Sequence, residues 1–104
     1  MSLESTLATT GYPSVHPPYG GSADTYITFH LVADDENLYA DGEAQAEERL
    51  YSVDLFTRVS WESKILSIKA ILKTAGYRIQ SIGPEIYEVE TKLYHIPMLV
   101  LEDA

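Results

Sequence analysis

One change of period governs what this chain can fold into. Trp61, Ile65, Ile68, Leu72 and Ala75 recur at spacings of four, three, four and three, which draws one apolar stripe down an α-helix. Leu66 and Ile71 widen the stripe. Ser60 is placed to cap its start, Glu62 lies in the favourable first turn, and Gly76 can take the left-handed conformation that closes it. On both sides of this segment the period is two.

Before the helix, Thr25 to Val32 (TYITFHLV) alternates β-branched and aromatic residues. Ile27, Phe29 and Leu31 fall on one face, and Tyr26, Thr28, His30 and Val32 on the other. Arg49 to Thr57 repeats the pattern, with Tyr51, Val53 and Leu55 on the apolar side and Ser52 and Asp54 opposite. Between them, Asp34 to Glu48 carries seven carboxylates in fifteen residues: Asp34, Asp35, Glu36, Asp41, Glu43, Glu47 and Glu48. Asp41-Gly42 is a turn signal, so the whole reads as a long hairpin with an acidic tip, with room for a short strand near Leu38-Tyr39-Ala40.

After the helix come strand-like runs from Tyr77 to Ile82, Ile86 to Glu90 and Leu93 to Leu101, the first two separated by a Gly83-Pro84 turn. Pro97 cannot donate to a ladder and so marks an edge or a bulge. The order β-β-α-β-β predicts an α+β fold, a mostly antiparallel sheet covered on one face by one main helix. Residues 1–24 differ: 3–10 suit a short helix, and Gly11 to Ser22 (GYPSVHPPYGGS) an extended, proline- and glycine-rich arm. At 104 residues the chain has the length of one domain, the arm plus an α+β core over 25–104.

Composition narrows the chemistry. Seven cationic side chains against sixteen carboxylates give a net charge of −9, and tight nucleic-acid binding needs cations to neutralise phosphates. An acidic surface suits the opposite role, a wall past which DNA slides. With no cysteine there is no disulfide scaffold, thiolate metal site or cysteine nucleophile. The start MSLESTLATT lacks a signal peptide's basic and apolar regions, and the longest apolar run, Ile96 to Leu101, is far short of a membrane span, so a soluble intracellular protein is expected.

No catalytic constellation emerges. His16, His30 and His95 are far apart in sequence and none has a second histidine four residues on, so a metal site would require tertiary convergence. His30 and His95 read instead as half-buried strand residues. The acidic stretch lacks the alternating oxygens of a calcium loop, with Gly42 out of place. Glu88 and Glu90 point to the same side of one strand, without the apolar pocket that would raise a carboxyl pKa. There is no nucleophile turn and no phosphate loop. The eight tyrosines suit packing with a wet edge and protein–protein contact. No catalytic residue, cofactor or metal ligand is expected.

The ordered series Thr25-Tyr26-Ile27-Thr28-Phe29, Tyr39-Ala40-Asp41 and Tyr51-Ser52-Val53-Asp54-Leu55-Phe56 resembles the tail-completion proteins of siphophages and prophages. So do the helix ending at Gly76, then Tyr87-Glu88, then Glu90-Thr91-Lys92-Leu93-Tyr94-His95 before a last strand. The likeness runs over residues 25–101. It implies a curved sheet with one principal helix and a non-enzymatic subunit that forms a ring, typically a hexamer. That ring caps the tail tube at the head–tail junction, meeting the tail tube protein on one side and the head-completion or connector protein on the other. It also implies assembly in the host cytoplasm and residence in the virion tail. The acidic hairpin would then border the channel and repel passing DNA. The competing reading is an acidic cytoplasmic interaction module with no phage role; a small metal-dependent enzyme would need metal near His30 or His95.

Overall fold

In a computed structural model, which describes residues 2–38 and 44–103, the chain folds as α1 (Leu3–Ala8), β1 (Ser14–Val15), β2 (Thr25–Leu38), β3 (Ala44–Thr57), α2 (Glu62–Thr74), β4 (Arg78–Ile82), β5 (Ile86–Glu88) and β6 (Leu93–Asp103). The class is the expected α+β, one mostly antiparallel sheet with one main helix. The six strands run in the order β1-β2-β3-β6-β4, with β5 also against β6, and β1 is parallel to β2. The element order is richer than β-β-α-β-β. The arm contributes the two-residue β1, and three strands follow α2.

Registers across β2, β3 and β6 explain where the core lies. Ile27 opposes Leu55 and Leu55 opposes Ile96; Phe29 opposes Val53 and Val53 opposes Met98. These rows share one face, since side chains alternate along a strand. Onto it α2 lays Ile65, Ile68 and Leu72, and α1 adds Leu3 and Leu7, forming one buried cluster with Val100 and Tyr77. Burying each such aliphatic side chain contributes about 1.5–3 kcal/mol relative to leaving it exposed.

Both ends of the helical stripe differ from expectation. Trp61 is the N-cap residue and only partly buried, Ala75 is the exposed C-cap residue, and Leu66 is 64% exposed. Leu66 lies about 130° from the centre of the Ile65-Ile68-Leu72 line, which is too far round to reach the sheet. Ser60 does not cap the backbone either; its hydroxyl donates to the Glu62 carboxylate. Gly76, at φ +97, closes the helix as expected. Tyr77 N–H bonds to Leu72 C=O at 3.0 Å and Gly76 N–H to Lys73 C=O at 3.1 Å, the paired bonds of a Schellman motif. The motif also delivers Tyr77 into the core beside Leu72.

Pro97 sits in β6, an interior strand, yet it does not break the ladder. Its carbonyl accepts from Gly83 N–H, so its nitrogen also points toward the β4–β5 side. β4 ends opposite Met98 and β5 starts opposite His95, leaving Pro97 at the gap between two strands laid end to end. The missing donor falls where no strand asks for it.

Candidate functional site

Helix α2 covers one sheet face, which leaves the opposite face and the sheet's projections uncovered by it. On that opposite face Tyr26 opposes Phe56, and Phe56 opposes His95. Their rings stack, with centroids 4.9 Å and 4.2 Å apart, and Tyr19 from the arm extends the row by stacking on Tyr26 at 4.1 Å. Burial, followed by the Glu88 carboxylate, raises the Tyr26 phenol above its ordinary pKa.

Beside this row lies the one buried carboxylate among the described residues. Asp54 is 7% exposed, and both its carboxylate oxygens are engaged. Oδ2 accepts from the Ser52 hydroxyl at 2.9 Å, and Oδ1 lies 2.9 Å from His95 Nε2. Serine, aspartate and histidine are the side chains of a hydrolytic triad, but their order here is different. The carboxylate sits between the other two, and a nucleophilic serine must instead bond the histidine that takes its proton. What the arrangement does is satisfy a buried carboxylate. His95 is half-buried as expected, whereas His30 is exposed. Among the described residues no group of three His, Asp or Glu side chains could hold a metal ion.

The hairpin is the second feature. β2 and β3 pair from Thr25 opposite Thr57 out to Leu38 opposite Ala44, so the acidic stretch is largely strand rather than tip. Tyr39, Ala40, Asp41, Gly42 and Glu43, with the expected turn, lie outside the described residues. A bulge at Val32 adds one residue to β2, and beyond it the parity of faces reverses. Leu31, just before the bulge, keeps its register opposite Tyr51 but is 49% exposed rather than in the core. At the root of the projection Arg49 holds two carboxylates, Asp34 and Glu102, each at 3.3 Å. Arg78 of β4 reaches Glu48 at 2.8 Å. Further out, the register sets Asp35 opposite Glu48 and Glu36 opposite Glu47. Like charges directly opposite across a ladder are destabilising. A ribbon built this way carries a local electrostatic cost, part of which Arg49 and Arg78 offset at its base.

The remaining concavities carry little chemistry. A groove of about 400 Å³ between α1 and α2 is lined by Thr6, Thr9, Ala70, Ile71, Thr74 and Ala75, with no titratable group. Near Arg58 and Tyr94, a shallow depression holds the Trp61 indole N–H donating to the Glu85 carboxylate. Glu88 stays in β5 and accepts from the Thr91 hydroxyl, but Glu90 lies in the following turn, so the two do not share a strand face. No helix among the described residues is long and apolar enough to cross a membrane.

Sequence reasoning located the acidic hairpin and the middle of the helical stripe. It missed the Asp54–His95 contact, the Tyr19-Tyr26-Phe56-His95 row and the two-carboxylate grip of Arg49. The polar parity of Ser52 and Asp54 was visible, but which strand would lie beside β3 was not.

Fold and site together define an α+β protein with one main helix, whose sheet carries a projecting acidic ribbon. No protein-family model matches the sequence, and no characterised protein matches it in sequence. In fold, the chain is similar to a chain of the virion of a native gene transfer agent particle. The TM-score is 0.52 and the identity 13%, over 94% of this chain and 82% of that one.

Proposed function

We propose that this chain is a non-enzymatic structural subunit of a phage-type virion, acting at tail completion. The observation that carries the reading is a sheet that leaves one face and long edges to be used by other subunits. β1 pairs with β2 only at Ile27 and Thr28, so from Phe29 onward the outer edge of β2 has no strand partner among the described residues. Open edges of this kind are pairing surfaces, and natural proteins cover or charge them unless they serve assembly. The likeness to a virion chain over 94% of the length supports the same direction.

In this reading, copies of the chain join in a ring, a hexamer on the assembled particle. One side of the ring meets the tail tube protein and the other the head-completion or connector protein. The hairpin from Asp34 to Glu48 borders the channel, where its negative charge keeps DNA from adhering. The chain works first in the host cytoplasm and then in the virion.

Removing the gene from the producing strain is the direct test. Electron micrographs of the lysate should show heads and tails unjoined, with joining restored when the gene is supplied in trans. Joined particles at the normal yield would overturn the proposal.

A further inference from the structure

The two most exposed large apolar side chains among the described residues are Val89, at 77%, and Leu66, at 64%. Each is set among charges, and the two settings are complementary. Leu66 lies on α2 with Glu62 one turn before it and Lys69 and Lys73 one and two turns after it. The spacings of four, three and four put these residues on one side of the helix. Lys69 and Lys73 make no ion pair with any described residue. Lysine stems extend such an apolar strip while their ammonium groups stay in water.

Val89 stands in the loop 89–92 at the tip of the hairpin formed by β5 and β6, followed by Glu90 and Lys92. Both charged side chains belong to exposed residues, and neither pairs with a described residue. The tip is held in shape. Lys92 N–H donates to the Glu88 carbonyl at 2.7 Å, the Thr91 hydroxyl donates to the Glu88 carboxylate at 3.1 Å, and Arg58 donates to the Thr91 carbonyl. Behind them Tyr87 packs on Tyr94, with ring centroids 5.0 Å apart. Lys92 takes φ 59, a left-handed conformation that costs a lysine more than a glycine. A tip ordered in advance loses little freedom when it docks.

We propose that the β5–β6 tip of one copy seats on the outward side of α2 of the next. Val89 lies against Leu66, Glu90 against Lys69 and Lys73, and Lys92 toward Glu62. The inference deepens the ring reading and rests on it. Two different surfaces meeting is the heterologous contact a closed ring requires. At a net charge of −9, copies repel one another in general, and attraction is confined to the places where opposite charges are gathered. All three arginines are engaged within the chain, and three of the four lysines stand on α2, so α2 is where an acidic neighbour is drawn.

The test couples carboxylates to amines with a zero-length carbodiimide in a mixture of isotopically heavy and light copies of the full chain. At about 1 mM protein, even a millimolar contact is well populated. Heavy–light peptide pairs should join Lys69 or Lys73 to Glu90. They should disappear in K69E/K73E and be greatly reduced in about 0.5 M salt, which screens exposed charges. Mixing K69E/K73E with E90K should restore links between position 69 or 73 and position 90, which neither variant forms alone. Val89→Ser changes no charge and should lower the yield several-fold; an unchanged yield would overturn the seating of Val89 on Leu66. Heavy–light pairs that leave Glu90 unlinked would overturn this contact and leave the ring standing. No heavy–light pairs at all would also overturn it, and the particle phenotype would then judge the ring separately.

Discussion

Asp54 and His95 meet at 2.9 Å across β3 and β6, on the sheet face that α2 leaves uncovered. They are diagonal neighbours, because Asp54 opposes Pro97 and His95 opposes Phe56. The contact ties the polar part of that face to its aromatic row. Asp54→Ala leaves the Ser52 hydroxyl and the His95 ring nitrogen without their acceptor, at a cost of about 1–3 kcal/mol. Urea denaturation of D54A, H95A and the double variant should give a coupling energy of about 0.5–2 kcal/mol. Additive effects would remove this pair from the account of the face.

The helix–sheet core makes a second prediction. Ile68 is fully buried between α2 and the sheet, so Ile68→Ala should destabilise by about 2–5 kcal/mol, the range for buried large-to-small changes. Leu66→Ala, on the exposed side of the same helix, should lie within about 0.5 kcal/mol of wild type in the thermal melt of the monomer. Equal losses at both positions would contradict the placement of α2.

Gly76 tests the helix terminus. A Cβ there meets no atom within 4 Å, so Gly76→Ala introduces no clash. At φ +97 the substitution still pays the left-handed penalty, about 1–2 kcal/mol. Thermal denaturation of G76A should show that loss, and G76N a smaller one, because asparagine tolerates this region better.

Tyr77 supplies a pH prediction. Burial, and then the nearby Glu102 carboxylate, push its phenol up to about 12 from 10.0. Its hydroxyl is buried and makes no hydrogen bond of normal geometry. The folded pKa is raised, so its stabilising effect is complete below pH 10 and is lost as pH rises toward 12. In that window the unfolded chain gives up the proton first, and stability falls by on the order of 2 kcal/mol. Tyr26 and Tyr51 shift in the same direction, so the informative comparison is with Tyr77→Phe. That variant should be close to wild type at neutral pH, since it removes an unpartnered buried hydroxyl, and should lose stability less steeply above pH 10. An unchanged alkaline slope in urea titrations of Y77F would refute the assignment.

Local patterns in the chain were sufficient for α2, for its stop at Gly76 and for the two strands that bracket the acidic stretch. Those signals act over one or two turns or a few alternating residues, so they are legible wherever the rest of the chain goes. Leu66 and Ala75 show the limit. Both continue the apolar periodicity, but only contact with the sheet decides how wide an arc of helix is covered. The Val32 bulge is a similar case, since it reverses the faces of the residues beyond it, a displacement that no alternation pattern contains.

What the sequence settled by itself was therefore composition and local period: an excess of acid, no thiol, one amphipathic helix and strands of alternating character. Only the tertiary structure decided that β6 would lie beside β3, bringing His95 to Asp54 and Glu102 to Arg49, and that Pro97 would fall in the gap between β4 and β5. Strand order is fixed by how faces are buried together and how chain segments return across the sheet. Those are long-range free energies that no window of neighbouring residues encodes.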